Sequence, residues 1–204
     1  GEEVVKKLES VDLTQAHKSV LIDWLTSQDR VVAIQGRAGT GKTTMLSAAL
    51  PLLESANSII RADESPKDFA LTCLAPTHVA VKELSARGLQ AQTLDSFIGQ
   101  EKTKMRQDLK TSVLVVDESS MVSSRKMHDF LKIATTQNAR VLLVGDTAQF
   151  QAIEAGKPFE VLVNAGVTTL SLKDIHRQKI ERVINVMRAL SKYMNTLFEG
   201  KIDD

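Results

Sequence analysis

Short runs of aliphatic residues recur along the chain, and each is followed at once by polar or turn residues. Four of them are clear: Val31–Ile34, Leu71–Leu74, Val113–Val116 and Val141–Val144. A fifth, weaker run covers Val167–Leu172. Aliphatic runs of about four to eight residues without strict alternation are typical of strands that are buried on both faces. The pattern therefore predicts a parallel sheet that is covered on both sides.

The segments between these runs have a helical or a polar pattern. Residues 13–28 predict an amphipathic helix whose apolar face carries Val20, Leu21, Trp24 and Leu25. Further helices are predicted over Thr43–Leu50, Val79–Ala86 and Ser124–Thr135, surface loops over 57–68 and 99–111, and a helix or helix pair from Ile180 to Gly200. Strands that alternate with helices predict an α/β fold with a mostly parallel, doubly wound sheet flanked by helices.

Composition narrows the function classes. The 26 Lys and Arg residues nearly balance the 25 Asp and Glu residues, so any nucleic-acid surface must be a local patch. The single cysteine, Cys73, excludes an internal disulfide and a multi-cysteine metal site, and it is expected in the core together with Met121 and Met127. No apolar run is long enough to predict a membrane span, and no secretory pattern is visible, so a cytoplasmic location is expected.

A glycine-rich motif follows the first predicted strand. Residues 36–43, Gly-Arg-Ala-Gly-Thr-Gly-Lys-Thr, fit the pattern G-x-x-x-x-G-K-[ST] without a mismatch. The backbone N–H groups of such a loop point inward and, with the following helix N-terminus, bind phosphate. We expect Gly36, Ala38, Gly39, Thr40 and Gly41 to line this nest, Lys42 to reach the β and γ phosphates, Thr43 to ligate Mg²⁺ and Thr44 to support the phosphates. The alternative is an ordinary glycine-rich turn.

Two carboxylates end the strand Val113–Val116. Asp117 is predicted to hold Mg²⁺, directly or through water, and Glu118 to act as the general base that polarises an attacking water. The alternative is a solvated acidic pair at a strand end. After Val141–Val144 come Gly145 and Asp146, typical of a turn, and then Gln149, which could orient the water or sense the γ-phosphate.

The order of these elements resembles that of the RecD-like superfamily 1 DNA helicases, and most closely the helicase part of TraI/TrwC-type conjugative relaxases. The resemblance extends from Asp12 to Gln178. Segments 35–44, 75–84, 91–97, 116–122, 145–153 and 172–178 resemble motif I, motif Ia, the next DNA-contacting segment, motif II, motif III and motif IV. Six matches in order are more specific than any one of them.

This resemblance implies a RecA-like P-loop NTPase domain that binds ATP and Mg²⁺ and moves along single-stranded DNA in plasmid conjugation. Arg177 would contact the γ-phosphate from a second RecA-like domain. Pro76, Thr77, His78 and Thr93 would contact the DNA. Pro76 and Thr77 could instead form a strand-end turn, and His78 could cap the following helix. Phe97 could stack on a base, but its spacing from Leu94 and Ile98 favours the core.

Two departures from the family pattern matter. His17 stands where the family has an adenine-reading glutamine, and Gln15 is the alternative for that contact. The sequence also has no segment that resembles motifs V and VI. We therefore expect a fragment whose partners include the remaining helicase domains of a parent chain, with a RecA-like ATP-binding domain over 1–165 and the start of a second domain over 166–204.

Two other functions remain open on the sequence. A degenerate RecA-like module could serve as a platform for DNA binding or protein docking without ATP turnover, a reading that His17 favours and Lys42, Thr43, Asp117 and Glu118 oppose. A P-loop kinase would need an arginine-bearing lid, which no segment suggests.

Overall fold

The computed structural model describes residues 11–60, 71–103, 112–148 and 156–172, with side chains at all of them except 52–60 and 101–103. The helices are α1 (Gln15–Thr26), α2 (Lys42–Ile60), α3 (His78–Ala86), α4 (Leu94–Thr103), α5 (Ser124–Thr136) and α6 (Pro158–Asn164). The strands are β1 (Val31–Gly36), β2 (Leu71–Ala75), β3 (Ala91–Thr93), β4 (Val113–Val116), β5 (Arg140–Gly145) and β6 (Thr168–Leu172). A short 3₁₀ turn covers Ser119–Met121.

The strands of the described residues form one sheet in the order β3-β2-β4-β5-β1-β6, and every neighbouring pair is parallel. Strand β5 lies between β1 and β4. Parallel strands have their carboxyl ends at the same edge of the sheet, which is where α/β proteins bind their ligands. The loops that follow β1, β4 and β5 therefore meet at this edge.

Apolar side chains cover both faces of the sheet. Val32 and Ile34 of β1 belong to one buried cluster, and Ala33 between them belongs to a second. The first cluster takes side chains from α1, α2 and α3, among them Leu21, Trp24, Met45 and Leu84. The second takes them from α4, α5 and α6, among them Phe97, Met127, Phe130 and Phe159. Because both faces are dry, the central strands are aliphatic at nearly every position, and the predicted doubly wound α/β fold is confirmed.

Two predicted loops are partly wrong because helices extend into them: α2 is longer than predicted, and α4 was not predicted at all. The predicted helix Thr43–Leu50 stopped before Pro51, but α2 continues to Ile60 with Pro51 inside it, so 57–60 are helical. A proline removes one hydrogen bond of the helix ladder without always ending the helix. Similarly, 99–103 lie in α4. The rest of the two predicted loops, 61–68 and 104–111, lies outside the described residues, as does the predicted helix from Ile180 to Gly200.

Single-residue predictions for the core are confirmed with one exception. Cys73 and Met127 are buried, and Phe97 is 5% exposed with its ring edge-on to Phe130 at 6.1 Å between centroids. Phe97 is therefore a core residue rather than a stacking platform. Met121 is 43% exposed, so its predicted packing role is wrong. It ends the 3₁₀ turn at the ligand edge of the sheet.

Strand β6 revises the predicted start of a second domain at residue 166. Residues 168–172 pair with β1 in parallel, from Val32↔Thr168 to Gly36↔Leu172, so they complete the sheet of the first domain. The compact unit that contains the sheet runs to Leu172. A second domain beyond that residue stays a prediction, since 173–204 lie outside the described residues. In the described part of the chain no helix is both long and apolar enough to cross a membrane.

Candidate active site

The glycine-rich segment curls between the end of β1 and the start of α2. Gly39 and Gly41 have φ values of 79° and 76°, which residues with a Cβ rarely adopt. Thr40 closes the curl because its backbone N–H and its hydroxyl both donate to the Arg37 carbonyl, at 3.2 and 2.8 Å. A Cβ at Gly36 would lie 2.6 Å from Thr40 Oγ1. Glycine at 36 is thus required by the close approach of Thr40.

Lys42 lies at the first position of α2 and extends back over the loop. Its Nζ donates to the carbonyls of Gly36 at 2.6 Å and Arg37 at 3.0 Å. Burial lowers the pKa of the Lys42 ammonium, against the opposite effect of the Asp146, Asp117 and Glu118 carboxylates. Lys42 is therefore a cation held at the mouth of the loop, within electrostatic reach of three acids.

Asp117 follows β4 directly and contacts the first turn of α2. The residue is 3% exposed, and its Oδ2 accepts the Thr43 hydroxyl at 3.0 Å while its Oδ1 accepts the Glu118 N–H at 2.9 Å. Burial raises the pKa of the Asp117 carboxyl, although these two hydrogen bonds and the charge of Lys42 lower it. The loop after β1 and the acid after β4, far apart in sequence, thus form one cluster.

Glu118 sits at a sharp change of backbone direction. Its φ of 51° and ψ of 34° are left-handed, a conformation that is uncommon and strained for a residue other than glycine. Burial raises the pKa of its carboxyl, the charges of Asp117 and Glu83 raise it further, and Lys42 lowers it. Glu83, on α3, is an acid near this cluster that the sequence analysis did not single out.

Asp146 is a further residue that the sequence analysis missed. It follows β5 and is 7% exposed, and its Oδ2 accepts the Ala38 N–H of the glycine-rich loop at 3.0 Å. Its Oδ1 accepts the Ala148 N–H at 2.9 Å. The signal was present, since Asp146 follows a buried strand as Asp117 does, but a Gly-Asp pair is also an ordinary turn. The contact with Ala38 shows that Asp146 holds the loop.

The profile of the AAA domain family matches residues 12–199. The chain belongs to the AAA domain family. It is 35% identical over 162 residues to the multifunctional conjugation protein TraI of Escherichia coli. This match covers 77% of the chain and 9% of TraI. It is 32% identical over 177 residues to the ATP-dependent RecD2 DNA helicase of Deinococcus radiodurans, which covers 84% of this chain and 23% of RecD2. The predicted resemblance to RecD-like and conjugative helicases is confirmed.

A shorter match has a different character. Thirty-five residues, 17% of the chain, are 80% identical to the protein phosphatase CheZ of Helicobacter pylori, of which they cover 14%. A segment of that size does not show a family. The chain spans less than a quarter of TraI and of RecD2, so their activities as whole proteins are not assigned to it on the match alone.

The remaining residues predicted for a nucleotide site lie on the same loop or beside it where the structure describes them. Thr44 follows Thr43 in α2, and its hydroxyl accepts a hydrogen bond at 3.2 Å from Nη1 of Arg87, the C-cap of α3. His17 of α1 is 7% exposed and contacts the loop through Nε2, which lies 2.8 Å from the Thr40 carbonyl oxygen. Gln149 and Arg177 lie outside the described residues, so their predicted roles are untested.

The predicted DNA contacts lie at the ends of β2 and β3, on the same edge of the sheet. Thr77 caps α3 by accepting the Ala80 N–H at 3.1 Å, and Thr93 caps α4 by accepting the Ser96 N–H at 3.2 Å. His78 is exposed at the first turn of α3. Pro76 and Thr77 line an open cavity of about 150 Å³, which is completed by Leu94, Asp95, Met121, Val122, Ser123 and Lys126. The two threonines therefore have a structural role whether or not they bind DNA.

Proposed function

We propose that this AAA domain is the ATP-binding motor domain of a DNA helicase, which couples ATP hydrolysis to movement on single-stranded DNA. The observation that carries the proposal is the cluster of Lys42, Thr43 and Asp117 at the carboxyl ends of β1 and β4. It joins an anion-binding loop and a cation to a buried carboxylate, which is the set of groups that a magnesium-bound nucleotide triphosphate requires. The similarity to the ATP-dependent RecD2 DNA helicase and to the conjugation protein TraI supports the same conclusion.

The loop and Lys42 would bind the triphosphate. In this structure the ammonium of Lys42 is hydrogen-bonded only to the carbonyls of its own loop among the contacts described for it, Gly36 and Arg37. Phosphate oxygens are stronger acceptors because they are charged. Lys42 would therefore transfer its hydrogen bonds from the two carbonyls to the β and γ phosphates.

The residues at the start of α2 and the end of β4 fit a magnesium ion. Mg²⁺ takes oxygen ligands at about 2.0–2.1 Å in octahedral geometry and binds few protein carboxylates. Thr43 Oγ1 and Asp117 Oδ2 are oxygen atoms 3.0 Å apart. The described residues contain no group of three or more His, Cys, Asp and Glu side chains that could hold a metal, so most of the ligands would be phosphates and water. When bound, the ion would neutralise charge on the β and γ phosphates.

Glu118 would act as the general base. It would accept a proton from a water molecule as the water oxygen attacks the γ-phosphorus and the bond to the leaving ADP oxygen breaks. A carboxylate whose pKa is raised accepts a proton more readily, and burial raises the pKa of Glu118. Gln149 and Arg177 would orient the water and contact the γ-phosphate.

Single-stranded DNA would lie across the ends of β2 and β3. Pro76, Thr77, His78 and Thr93 are brought to this edge by the parallel pairing of the two strands, from Cys73↔Ala91 to Ala75↔Thr93. Hydroxyls and backbone N–H groups at helix N-termini are common phosphate ligands. The remaining helicase domains of a parent chain and a conjugative relaxase are further parts of this proposal, as is the cytoplasmic location.

The proposal is tested by calorimetric titration of the chain with ATP in the presence and absence of Mg²⁺. We expect Mg²⁺-dependent binding that Lys42→Ala reduces at least tenfold. Lys132→Ala is the matched control because Lys132 is an exposed lysine on α5, and it should bind as the wild type does. Equal ATP affinity in the wild type and the Lys42 variant would contradict the proposal.

A second titration separates the motor domain from the platform that the sequence left open. Fluorescence anisotropy with a labelled single-stranded oligonucleotide measures DNA binding independently of ATP. DNA binding without any Mg²⁺-dependent ATP binding would favour the platform. Binding of both ligands is the result expected for the motor domain.

A further inference from the structure

His17 contacts the phosphate-binding loop instead of standing beside it. Its Nε2 lies 2.8 Å from the carbonyl oxygen of Thr40, and the side chain is 7% exposed. Helix α1 fixes the position of the ring, and its N-cap Thr14 accepts the His17 backbone N–H at 3.3 Å. Leu21 and Trp24, one and two turns further along α1, are buried in the core. The ring is thus attached to a rigid helix.

The contact defines which ring nitrogen carries hydrogen. A carbonyl oxygen only accepts hydrogen bonds, so Nε2 must be the donor. The other ring nitrogen, Nδ1, is buried and has no hydrogen-bond partner among the residues that the structure describes. The ring edge also fills the space next to Gly41, because a Cβ at Gly41 would lie 3.2 Å from Cε1 and 3.3 Å from Nε2.

The hydrogen bond fixes the orientation of one peptide group of the loop. The peptide between Thr40 and Gly41 is trans, as are all the peptide bonds of the described residues. The C=O and N–H of a trans peptide point in opposite directions. With the Thr40 carbonyl held by His17, the Gly41 N–H must point away from α1.

We propose that His17 is a positioning residue for the triphosphate. By binding the Thr40 carbonyl it keeps the Gly41 N–H directed into the phosphate-binding loop. His17 acts in this way whatever base the nucleotide carries, in contrast to the base-reading role that the family pattern suggests for position 17. The inference rests on the proposed nucleotide site and adds a residue on α1 to it.

The test compares two amides of different length at position 17. In His17→Gln the amide nitrogen lies about as far from the backbone as Nε2 does, whereas in His17→Asn it is one carbon shorter and cannot reach Thr40. Calorimetry of the whole 204-residue chain with Mg²⁺ and either ATP or inorganic tripolyphosphate gives the affinities. His128→Gln, at a histidine on the exposed face of α5, is the matched control.

A net hydrogen bond of about 1 kcal/mol corresponds to an affinity change of roughly fivefold. We therefore expect His17→Asn to bind ATP and tripolyphosphate with about the same fivefold loss of affinity. His17→Gln should bind both with an affinity within about twofold of the wild type. In ¹⁵N-labelled chain, tripolyphosphate should shift the Gly41 amide resonance in the wild type and in His17→Gln, and shift it less in His17→Asn. If His17→Asn does not fold, His17→Leu replaces it.

Three results overturn the inference. Tripolyphosphate binding that is unchanged in His17→Asn while ATP binding falls would show a base contact instead. If His17→Gln loses as much affinity as His17→Asn does, the hydrogen bond donated to the Thr40 carbonyl does not determine triphosphate binding. If wild-type chain binds neither ATP nor tripolyphosphate, the proposed function itself fails, and this inference fails with it.

Discussion

Asp117 combines burial with a charge that the proposed chemistry needs. The residue is 3% exposed and its carboxylate accepts hydrogen bonds from Thr43 and Glu118, yet burial still raises its pKa. The two hydrogen bonds and Lys42 thus offset only part of the desolvation. A buried carboxylate in this position favours binding of a cation beside it. When no cation is bound, its charge disfavours the folded state.

The stability of the chain should therefore depend on pH through Asp117. Between the ordinary carboxyl pKa and the raised value, the folded state keeps a proton that the unfolded state has lost. The free energy of unfolding then falls as pH rises through this window. Asp117→Asn lacks this titration, so the difference in the free energy of unfolding should shift in favour of the variant as pH rises through this window.

Urea unfolding at several pH values without nucleotide measures this difference. Asp129→Asn is the control, because Asp129 lies on α5, away from the cluster of Lys42, Thr43 and Asp117. The same Asp117→Asn protein should lose Mg²⁺-dependent ATP binding. A wild-type chain that gains stability relative to Asp117→Asn as pH rises would contradict the raised pKa.

At the scale of single elements, the ends of strands and the starts of helices carry both the stability and the candidate site. Thr77 is the N-cap of α3 and is also a predicted DNA contact. A negative charge at position 77 separates the two roles, because it should leave the helix cap intact but weaken the binding of DNA phosphates. Asp, Asn and Thr are all good N-caps, whereas only Asp repels phosphate.

We expect Thr77→Asp and Thr77→Asn to have nearly the same melting temperature as the wild type. Thr77→Ala should lose about 1 kcal/mol of stability because the cap is removed. In anisotropy titrations with single-stranded DNA, Thr77→Asp should bind at least tenfold more weakly than Thr77→Asn. Equal DNA affinity of the two variants would leave Thr77 with its capping role alone.

The end of β5 is packed tightly against the turn after Glu118. A Cβ at Gly145 would lie 2.8 Å from Ser119 Oγ, 3.1 Å from the Ser120 backbone nitrogen and 3.2 Å from the Phe159 ring. Ser119 is held in place because its hydroxyl donates to the Val144 carbonyl at 2.8 Å. This contact fixes the turn that carries Glu118 relative to the strand that carries Asp146.

Gly145→Ala should destabilise the chain by about 1–3 kcal/mol, since an added methyl has no space. Gly99→Ala is the matched control: among the residues that the structure describes, nothing lies within 4 Å of a Cβ at Gly99, and alanine favours a helix over glycine by up to about 1 kcal/mol. Thermal unfolding of both variants should move the midpoint in opposite directions. A shift of the same sign in both would contradict the packing at Gly145.

At the scale of the whole molecule, the candidate site depends on the order of the strands. The loops after β1, β4 and β5 contribute Lys42, Asp117 and Asp146, and β5 lies between the other two strands. A ligand that contacts all three loops binds the folded chain and not the unfolded one. Such a ligand raises stability by about 2.7 kcal/mol at a concentration of 100 times its Kd.

Saturating Mg²⁺-ATP should accordingly raise the melting temperature of the wild type. The increase should be smaller in Lys42→Ala than in the wild type, and it should be retained in full in Lys132→Ala. Differential scanning fluorimetry with and without Mg²⁺-ATP gives the three comparisons. An increase in Lys42→Ala as large as in the wild type would mean that ATP stabilises the chain through another site.

Local sequence patterns were enough to predict most of the elements and the chemistry close to them. The aliphatic runs predicted β1, β2, β4 and β5 because both faces of these strands are buried, and the glycine pattern predicted the loop before α2. The short elements β3 and α6 were missed because so few residues carry no clear period. Helix α4 was missed because its second half, residues 99–103, is polar and was assigned to a charged surface loop. The length of α2 was missed because the effect of Pro51 depends on what packs around it.

Packing between distant segments determines which residues of these elements come into contact. The sheet order brings Asp146 to the Ala38 N–H across 108 residues of sequence, and β6 joins the first domain rather than starting another. The packing of α1 against the sheet places His17 at the Thr40 carbonyl. Strand order and the direction of a side chain follow from packing between distant segments, which a local pattern does not contain. A motif can therefore name the residues of a site, while the fold alone determines which of them touch.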